Sequence, residues 1–441
     1  MSLVLAGGVS STALAADAGP AERRVQVVML NFTDSSFPDP AKAKSALQKS
    51  YFGKDNSLTS YYNELTRGAT TFKPASGGEG GVIGPINIDM SAAGCDTGKM
   101  NGLTQKALSD QGLTWGKNFD HLSMVFPGGK AGCSFGGLGA VGGGQTWVPT
   151  GDGSVDQTVL AHEFGHNFGY MHQNRIRCAS TDLSTCKDTG ENSRKTVMGG
   201  GGLGVGITAP EQIHSKWLSD KEAVKVTKSG TYTLRSLYGS GKGLRALDIP
   251  VGSDRLVVEL RGASGTLDKN LKGVHAYRVQ NNRYGDARLV DTDRNADHQP
   301  DSGPANADSD SLKAGTKLTD KANKVEVKVV KSGSGQATVA VSLDGVPAPA
   351  QAAPSTAEGP EAQTGSSTPA SGAEDETGAR DGVRAKGGAE TKGGADLAAT
   401  GGDSSTMWSL TAGGVVLFAA GGAFVVRSRR KRTASSGAHA R

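Results

Sequence analysis

Residues 162–172 read HEFGHNFGYMH, and this string constrains the chain more than any other part of it. His162 and His166 are four apart, so on a helix of 3.6 residues per turn their imidazoles leave the same face, one above the other. That spacing suits a grip on one zinc ion. Glu163 follows His162, within reach of a water on the metal. Gly169 permits a left-handed exit that swings His172 back as third ligand and leaves the fourth position open. The pattern H-E-x-x-H-x-x-G-x-x-H therefore assigns His162, His166 and His172 to metal binding and Glu163 to general-base work. With eight histidines in the chain, chance supplies on the order of 10⁻⁵ to 10⁻⁴ such matches. The bland reading that remains is a dead descendant of an active site.

The flanking sequence agrees with a helix. Ser154 and Gln157 are spaced as a capping box, the helix is expected over about 155–168, and Leu160, Phe164 and Phe168 form an apolar stripe away from the histidines. Upstream, 25–32 and 121–126 have the character of strands, while 41–51 and 57–66 look helical, an α+β pattern. The run Gly136–Gly144 holds Gly137, Gly139 and Gly142 in G-x-G-x-x-G register. No helix follows to receive a pyrophosphate, so a dinucleotide site is excluded in favour of a loop. That loop leads to an expected edge strand, Gln145–Val148, able to pair with an extended substrate backbone. Further on, Thr208 and Glu211 make a second capping box, opening a helix expected to include Trp217 and His214, the latter as a structural residue.

The zinc string resembles the metzincin zinc-peptidase signature, and Met198 in TVMGGGG stands where that clan places its Met-turn. VQVVMLNF, LTSYYNELTRGATTF, the zinc helix, Met198 and ITAPEQIHSKWL together resemble the gametolysin-like peptidases, over roughly residues 25–220. The resemblance implies a twisted sheet with an active-site helix and hydrolysis of peptide bonds in an extended polypeptide. Two departures stand out. Gly199 and Gly200 follow Met198 where some metzincins have an assisting tyrosine, and no long propeptide is expected ahead of the domain. An alternative ligand set takes Glu191 in place of His172, as in glutamate-ligand zinc peptidases; Gly169 and Met198 count against it.

From about 221 to 345 alternating strands such as TYTLRSL, DRLVVELR, GVHAYRV, VEVKVV and ATVAVSL predict a β-sandwich domain after a catalytic domain at 16–220. Within it Asp291, Asp293, Asn295 and Asp297 offer oxygen ligands for a structural calcium ion, without the glycine and glutamate of an EF-hand. Cys95, Cys133, Cys178 and Cys186 lack C-x-x-C spacing, which points to disulfides in an exported chain. Of three possible pairings, Cys178–Cys186 with Cys95–Cys133 is favoured by the short loop between the first two.

The chain ends speak to location. Residues 1–15 look like a secretory signal with Ala13-Leu14-Ala15 as its cleavage region, and the missing basic n-region places the expected true start upstream. Residues 346–396 contain no Phe, Trp, Tyr, Ile, Leu or Met, the composition of a disordered linker. Leu397, Ala398, Ala399, Thr400 and Gly401 follow, then an apolar run at 408–426 and a basic tail at 427–441. The run is long enough to span a bilayer with the tail inside. LAATG resembles the signal read by class E sortases of high-GC Gram-positive bacteria, which implies cleavage after Thr400 and attachment to the cell wall. The formal net charge of +5 is spread along the chain and implies no nucleic-acid partner. The expectation is a cell-surface zinc endopeptidase. The alternative is an inactive metzincin-like adhesin or binding module.

Overall fold

The computed structural model describes residues 21–75, 79–202, 204–292, 310–333, 335–349 and 397–401. The expected signal segment 1–15, residues 350–396, the apolar run 408–426, the tail 427–441 and Asp293, Asn295 and Asp297 lie outside the described residues. Among the described residues no helix is long and apolar enough to cross a membrane.

RVQVVMLN at 24–31 shows no alternation of polar and apolar residues, the pattern of a strand covered on both faces. It forms most of β1 (Ala21–Asn31), in which Val25 to Leu30 are buried. β2 (Thr70–Pro74) and β3 (Val82–Asn87) pair parallel to successive lengths of β1, and β4 (His121–Pro127) pairs parallel to it as well. Beyond β4 come β5 (Phe135–Ala140) and β6 (Gln145–Thr150), with β6 parallel to β4 and β5 antiparallel to β6. α1 (Pro40–Phe52) starts at Asp39, whose side chain accepts the Lys42 amide, and α2 (Leu58–Leu65) starts on a Ser57/Ser60 capping box. α3 (Thr97–Asp110) and the histidine helix α4 (Gln157–Asn167) complete this part.

Alternate residues of β1 go to opposite layers, as the two-residue period of a strand requires. Val25, Val27 and Met29 pack with Leu47, Tyr51, Tyr62, Leu160 and Phe164 on the side of α1, α2 and α4. Val28 and Leu30 pack with Met100, Leu108, Leu122 and Met124 on the side of α3. The edge differs from expectation. Gln145–Val148 is an inner strand with Trp147 and Val148 buried, and the first half of the glycine run forms the outer strand β5. The reason is room, since glycine lets β5 run hard against α4 where a side chain would hold the two apart.

After α4 the chain builds two further sheets. β7 (Asn174–Cys178) and β8 (Cys186–Asn192) precede α5 (Ala209–His214), after which come β9 (Ala223–Lys225), β10 (Gly230–Arg235), β11 (Ala246–Val251), β12 (Asp254–Arg261), β13 (Gly273–Val279) and β14 (Arg288–Asp291). β15 (Lys317–Asp320), β16 (Val325–Gly333) and β17 (Gln336–Ser342) complete it. One sheet runs β10-β17-β16-β15 and the other β8-β7-β14-β13-β12-β11-β9. Val258, Leu256, Val327, Val329, Val339 and Val341 fill the layer between them. The larger sheet reaches back into the earlier part of the chain. Ile176 and Cys178 share the sandwich core, while Val257, Tyr277 and Leu289 face the core that holds Leu160 and Phe164.

Both favoured disulfides are present. Cys95 joins Cys133, and Cys178 joins Cys186 across directly opposed positions of β7 and β8. Asp291, the described member of the expected calcium set, is fully buried and faces Arg175 at 3.5 Å and Arg177 at 3.9 Å. Asp291 is thus paired with two guanidinium groups. α5 stops at His214; Lys216 turns left-handed, and Trp217 lies beyond the helix with its amide on the Gln212 carbonyl. The last described strand is β18 (Leu397–Gly401), paired antiparallel to β5 at the edge of the first sheet.

Candidate metal centre

α4 starts on Asp156, whose carboxylate accepts the Thr158 amide at 2.6 Å, not on Ser154. Ser154 remains in the preceding loop with its amide on Asp152, and the Gln157 amide group reaches Ser57. An ionised carboxylate next to the first turn is the better partner for the amides and the dipole of the helix. The apolar stripe behaves as expected: Leu160 and Phe164 are fully buried, and Phe168 packs against Tyr62 and Trp217. The Tyr62 hydroxyl donates to the Ala161 carbonyl at 2.8 Å, tying the helix to α2.

That anchorage aims the histidines. His162 Nε2 lies 3.0 Å from His166 Nε2 and 3.1 Å from His172 Nε2, and the three rings form one convergent group of possible ligand atoms. Gly169, at φ +91°, supplies the left-handed turn that brings His172 round. On the far side of two rings the partners are carbonyls: His162 Nδ1 sits 3.0 Å from Val197 O, and His166 Nδ1 sits 2.7 Å from Tyr170 O. A carbonyl only accepts, so each Nδ1 carries the proton and each neutral ring turns a bare Nε2 lone pair towards the other. Lone pairs 3 Å apart repel unless a cation lies between them. The spacing is also near the ~3.3 Å expected for nitrogens ~2.0–2.1 Å from a tetrahedral zinc ion. Burial holds all three histidines in this neutral form, lowering His162 well below 6.5, His166 to about 4 and His172 to a lesser extent, with the neighbouring imidazoles adding to the shift of the first two.

Glycines set how closely the other parts approach. A Cβ on Gly165 would stand 2.3 Å from Met198 Sδ, so the Met198 sulfur lies directly against the helix between His162 and His166. The turn at Met198 provides the Val197 carbonyl to His162 and the Met198 carbonyl to the Gln173 amide. Glu211 locks the turn from below. Its carboxylate accepts the Thr196 and Thr208 hydroxyls and the Thr208 amide, and its burial raises it to about 7. On the other side of α4, a Cβ on Gly137 would lie 2.5 Å from Glu163 Oε1, and one on Gly139 would lie 2.6 Å from the Glu163 carbonyl. Glu163, fully buried, therefore stands between the histidines and the edge strand β5.

Several contributors gave weaker signals in the sequence. Val197 and Tyr170 act through backbone carbonyls, which no side-chain pattern reveals. Asn167, next to His166, donates to Ala140 O and Gln145 O and so pins the end of α4 to the β5–β6 turn. Gly137 and Gly139 were visible, but as a glycine register without its structural context. His214 lies over Gly169 and beside the Tyr170 ring, outside the triad. Glu191 is held by Arg177 at 2.8 Å and is no part of the convergent group. Leu397 to Gly401 lie on β5, against the helix that carries the histidines.

Residues 24–225 match the model of the gametolysin peptidase M11 family. The match covers a little under half of the chain, including most of β1, β2 to β6, α4, the turn at Met198 and α5, and makes this part a metallopeptidase domain. A search of curated proteins finds no match. Among solved structures, wild-type OgpA from Akkermansia muciniphila aligns with 10% identity and a TM-score of 0.31, covering 61% of this chain and 92% of that one. Catalytically inactive OgpA in complex with an O-glycopeptide substrate, glycodrosocin, aligns with 11% identity and a TM-score of 0.30 over the same shares.

Proposed function

We propose that the protein is a zinc endopeptidase of the metzincin type, exported and fixed to the outer surface of a Gram-positive cell. His162, His166 and His172 are its metal ligands and Glu163 its general base. The observation that carries this reading is the pair of Nε2 atoms 3.0 Å apart, each on a ring whose Nδ1 faces a backbone carbonyl. Bound zinc supplies a Lewis acid that acidifies a water and stabilises negative charge developing on a peptide carbonyl. Glu163 takes the proton of the attacking water on its carboxylate and returns it to the leaving amine. The Val197 carbonyl keeps His162 from turning away, Met198 packs against Gly165 of the same helix, and β5 lines the site beside Glu163 as the strand along which a polypeptide can extend. LAATG at 397–401, with the apolar and basic stretches after it, supports wall attachment.

The ligand set is tested by metal analysis of the purified chain. His162→Ala, His166→Ala and His172→Ala should each lose most of the single zinc, whereas Glu191→Ala should keep it. Full zinc in His172→Ala with loss in Glu191→Ala would reverse the assignment of the third ligand.

A further inference from the structure

β5 is an edge strand, and an edge presents a row of backbone donors and acceptors that recruits another strand. Among the described residues, what covers it is a piece of the same chain. Leu397 pairs with Ala140, Ala398 with Gly139, Ala399 with Leu138 and Thr400 with Gly137, all antiparallel, before the register shifts to Gly401 opposite Phe135. The pairing falls on the length of β5 that abuts the catalytic helix. Gly137, opposite Thr400, is the residue whose absent side chain leaves room for Glu163, and Gly139, opposite Ala398, is the one whose absent side chain admits the backbone of α4 at Glu163. β18 itself lies against α4. Leu-Ala-Ala-Thr-Gly carries no charge and no proline, so nothing in it opposes addition to a sheet.

We propose that residues 397–401 act as an intramolecular substrate mimic, adding to β5 beside the histidine helix and withholding that edge from other polypeptides until they are withdrawn. The inference rests on the peptidase reading for its effect on activity, though not for the strand contact. One segment then has two exclusive states. While paired with β5, its backbone is committed and cannot be taken up by an enzyme that reads LAATG as an extended peptide; once captured elsewhere, it leaves β5 open. Because segment and strand belong to one chain, the contact is independent of protein concentration and competes with free substrate at a high effective concentration.

The test compares the full-length chain with full-length Ala399→Pro, which removes a backbone N–H from the middle of β18 and leaves the catalytic part untouched. Hydrogen exchange is followed at Phe135–Ala140 and, as control, at the inner strand Gln145–Thr150, together with kcat/KM on an unrelated extended peptide. In Ala399→Pro the β5 amides should exchange at least about tenfold faster with the β6 amides unchanged, because one strand contact opens locally. Its kcat/KM should rise several-fold, and added Leu-Ala-Ala-Thr-Gly peptide should lower it again competitively. Equal β5 exchange in the two proteins would overturn the strand contact, whatever the activity. Faster exchange with measurable but equal kcat/KM would overturn the inhibitory role. Faster exchange in the variant, with no activity in either protein, would uphold the contact and contradict the peptidase reading instead.

Discussion

At the scale of single residues, the site depends on groups that are neutral because they are buried. His121 shows the consequence for stability. It sits among Phe72, Phe164 and Phe168 with its Nδ1 3.1 Å from Asn167 Oδ1, and burial pulls it from 6.5 down to about 4. The unfolded chain therefore binds the proton more tightly than the folded one. The sign follows from linkage: the contribution is fully present above pH 6.5 and is lost as pH falls through 4. A shift of this size corresponds to roughly 3 kcal/mol. Chemical denaturation at pH 7 and pH 4 should show a smaller acid loss in His121→Gln than in the parent chain. An equal acid loss in both would mean that His121 does not carry this part of the pH dependence.

At the scale of elements, the contact between α4 and β5 has the least slack. Both Gly139 and Gly137 face the helix, and a Cβ on Gly139 would meet the Glu163 carbonyl and His166 Cβ, 2.6 and 2.8 Å away. Backbone cannot swing aside as a side-chain end can. Gly139→Ala should thus move α4 outward, with a stability loss of roughly 1–3 kcal/mol typical of overpacking. Activity should fall further than stability because Glu163 moves with the helix; a variant with wild-type melting and wild-type turnover would show that the contact is loose. These same elements mark what was legible in the sequence. The zinc string, Met198, the Thr208/Glu211 box and the continuous apolar run of β1 each declare themselves through side-chain type at fixed spacing. The edge strand did not, because its residues were chosen for what they lack: a row of glycines has no periodicity, and only the neighbouring helix explains it. The shared use of β7 and β8 by the sandwich sheet was also hidden, since strand partners far apart in sequence leave no local pattern. Likewise the start of α4 went to Asp156 because an ionised acceptor one residue before the helix outcompetes Ser154, a choice that spacing alone does not resolve.

At the scale of the whole molecule, catalytic and sandwich parts are joined through a common sheet, and Arg261 stitches them further. Its buried guanidinium holds Asp268 at 2.7 Å and Glu259 at 3.0 Å while donating to the Lys195 carbonyl ahead of the turn at Met198. Cell attachment is expected to depend on the other end of the chain: Thr400→Ala should shift the protein from the wall fraction to the membrane fraction, and equal release of mutant and parent by wall-digesting enzymes would contradict a sortase step. The most direct test of the peptidase reading is turnover of a broad peptide library by Glu163→Ala, read by mass spectrometry beside its zinc content. In the proposed mechanism Glu163 is a base and not a ligand, so the variant should keep its fold and one zinc while cleavage falls by about 10²-fold or more, the scale of a lost general base. A folded, zinc-loaded parent protein that cleaves nothing in the library, or a Glu163→Ala protein that cleaves as fast as the parent, would contradict it.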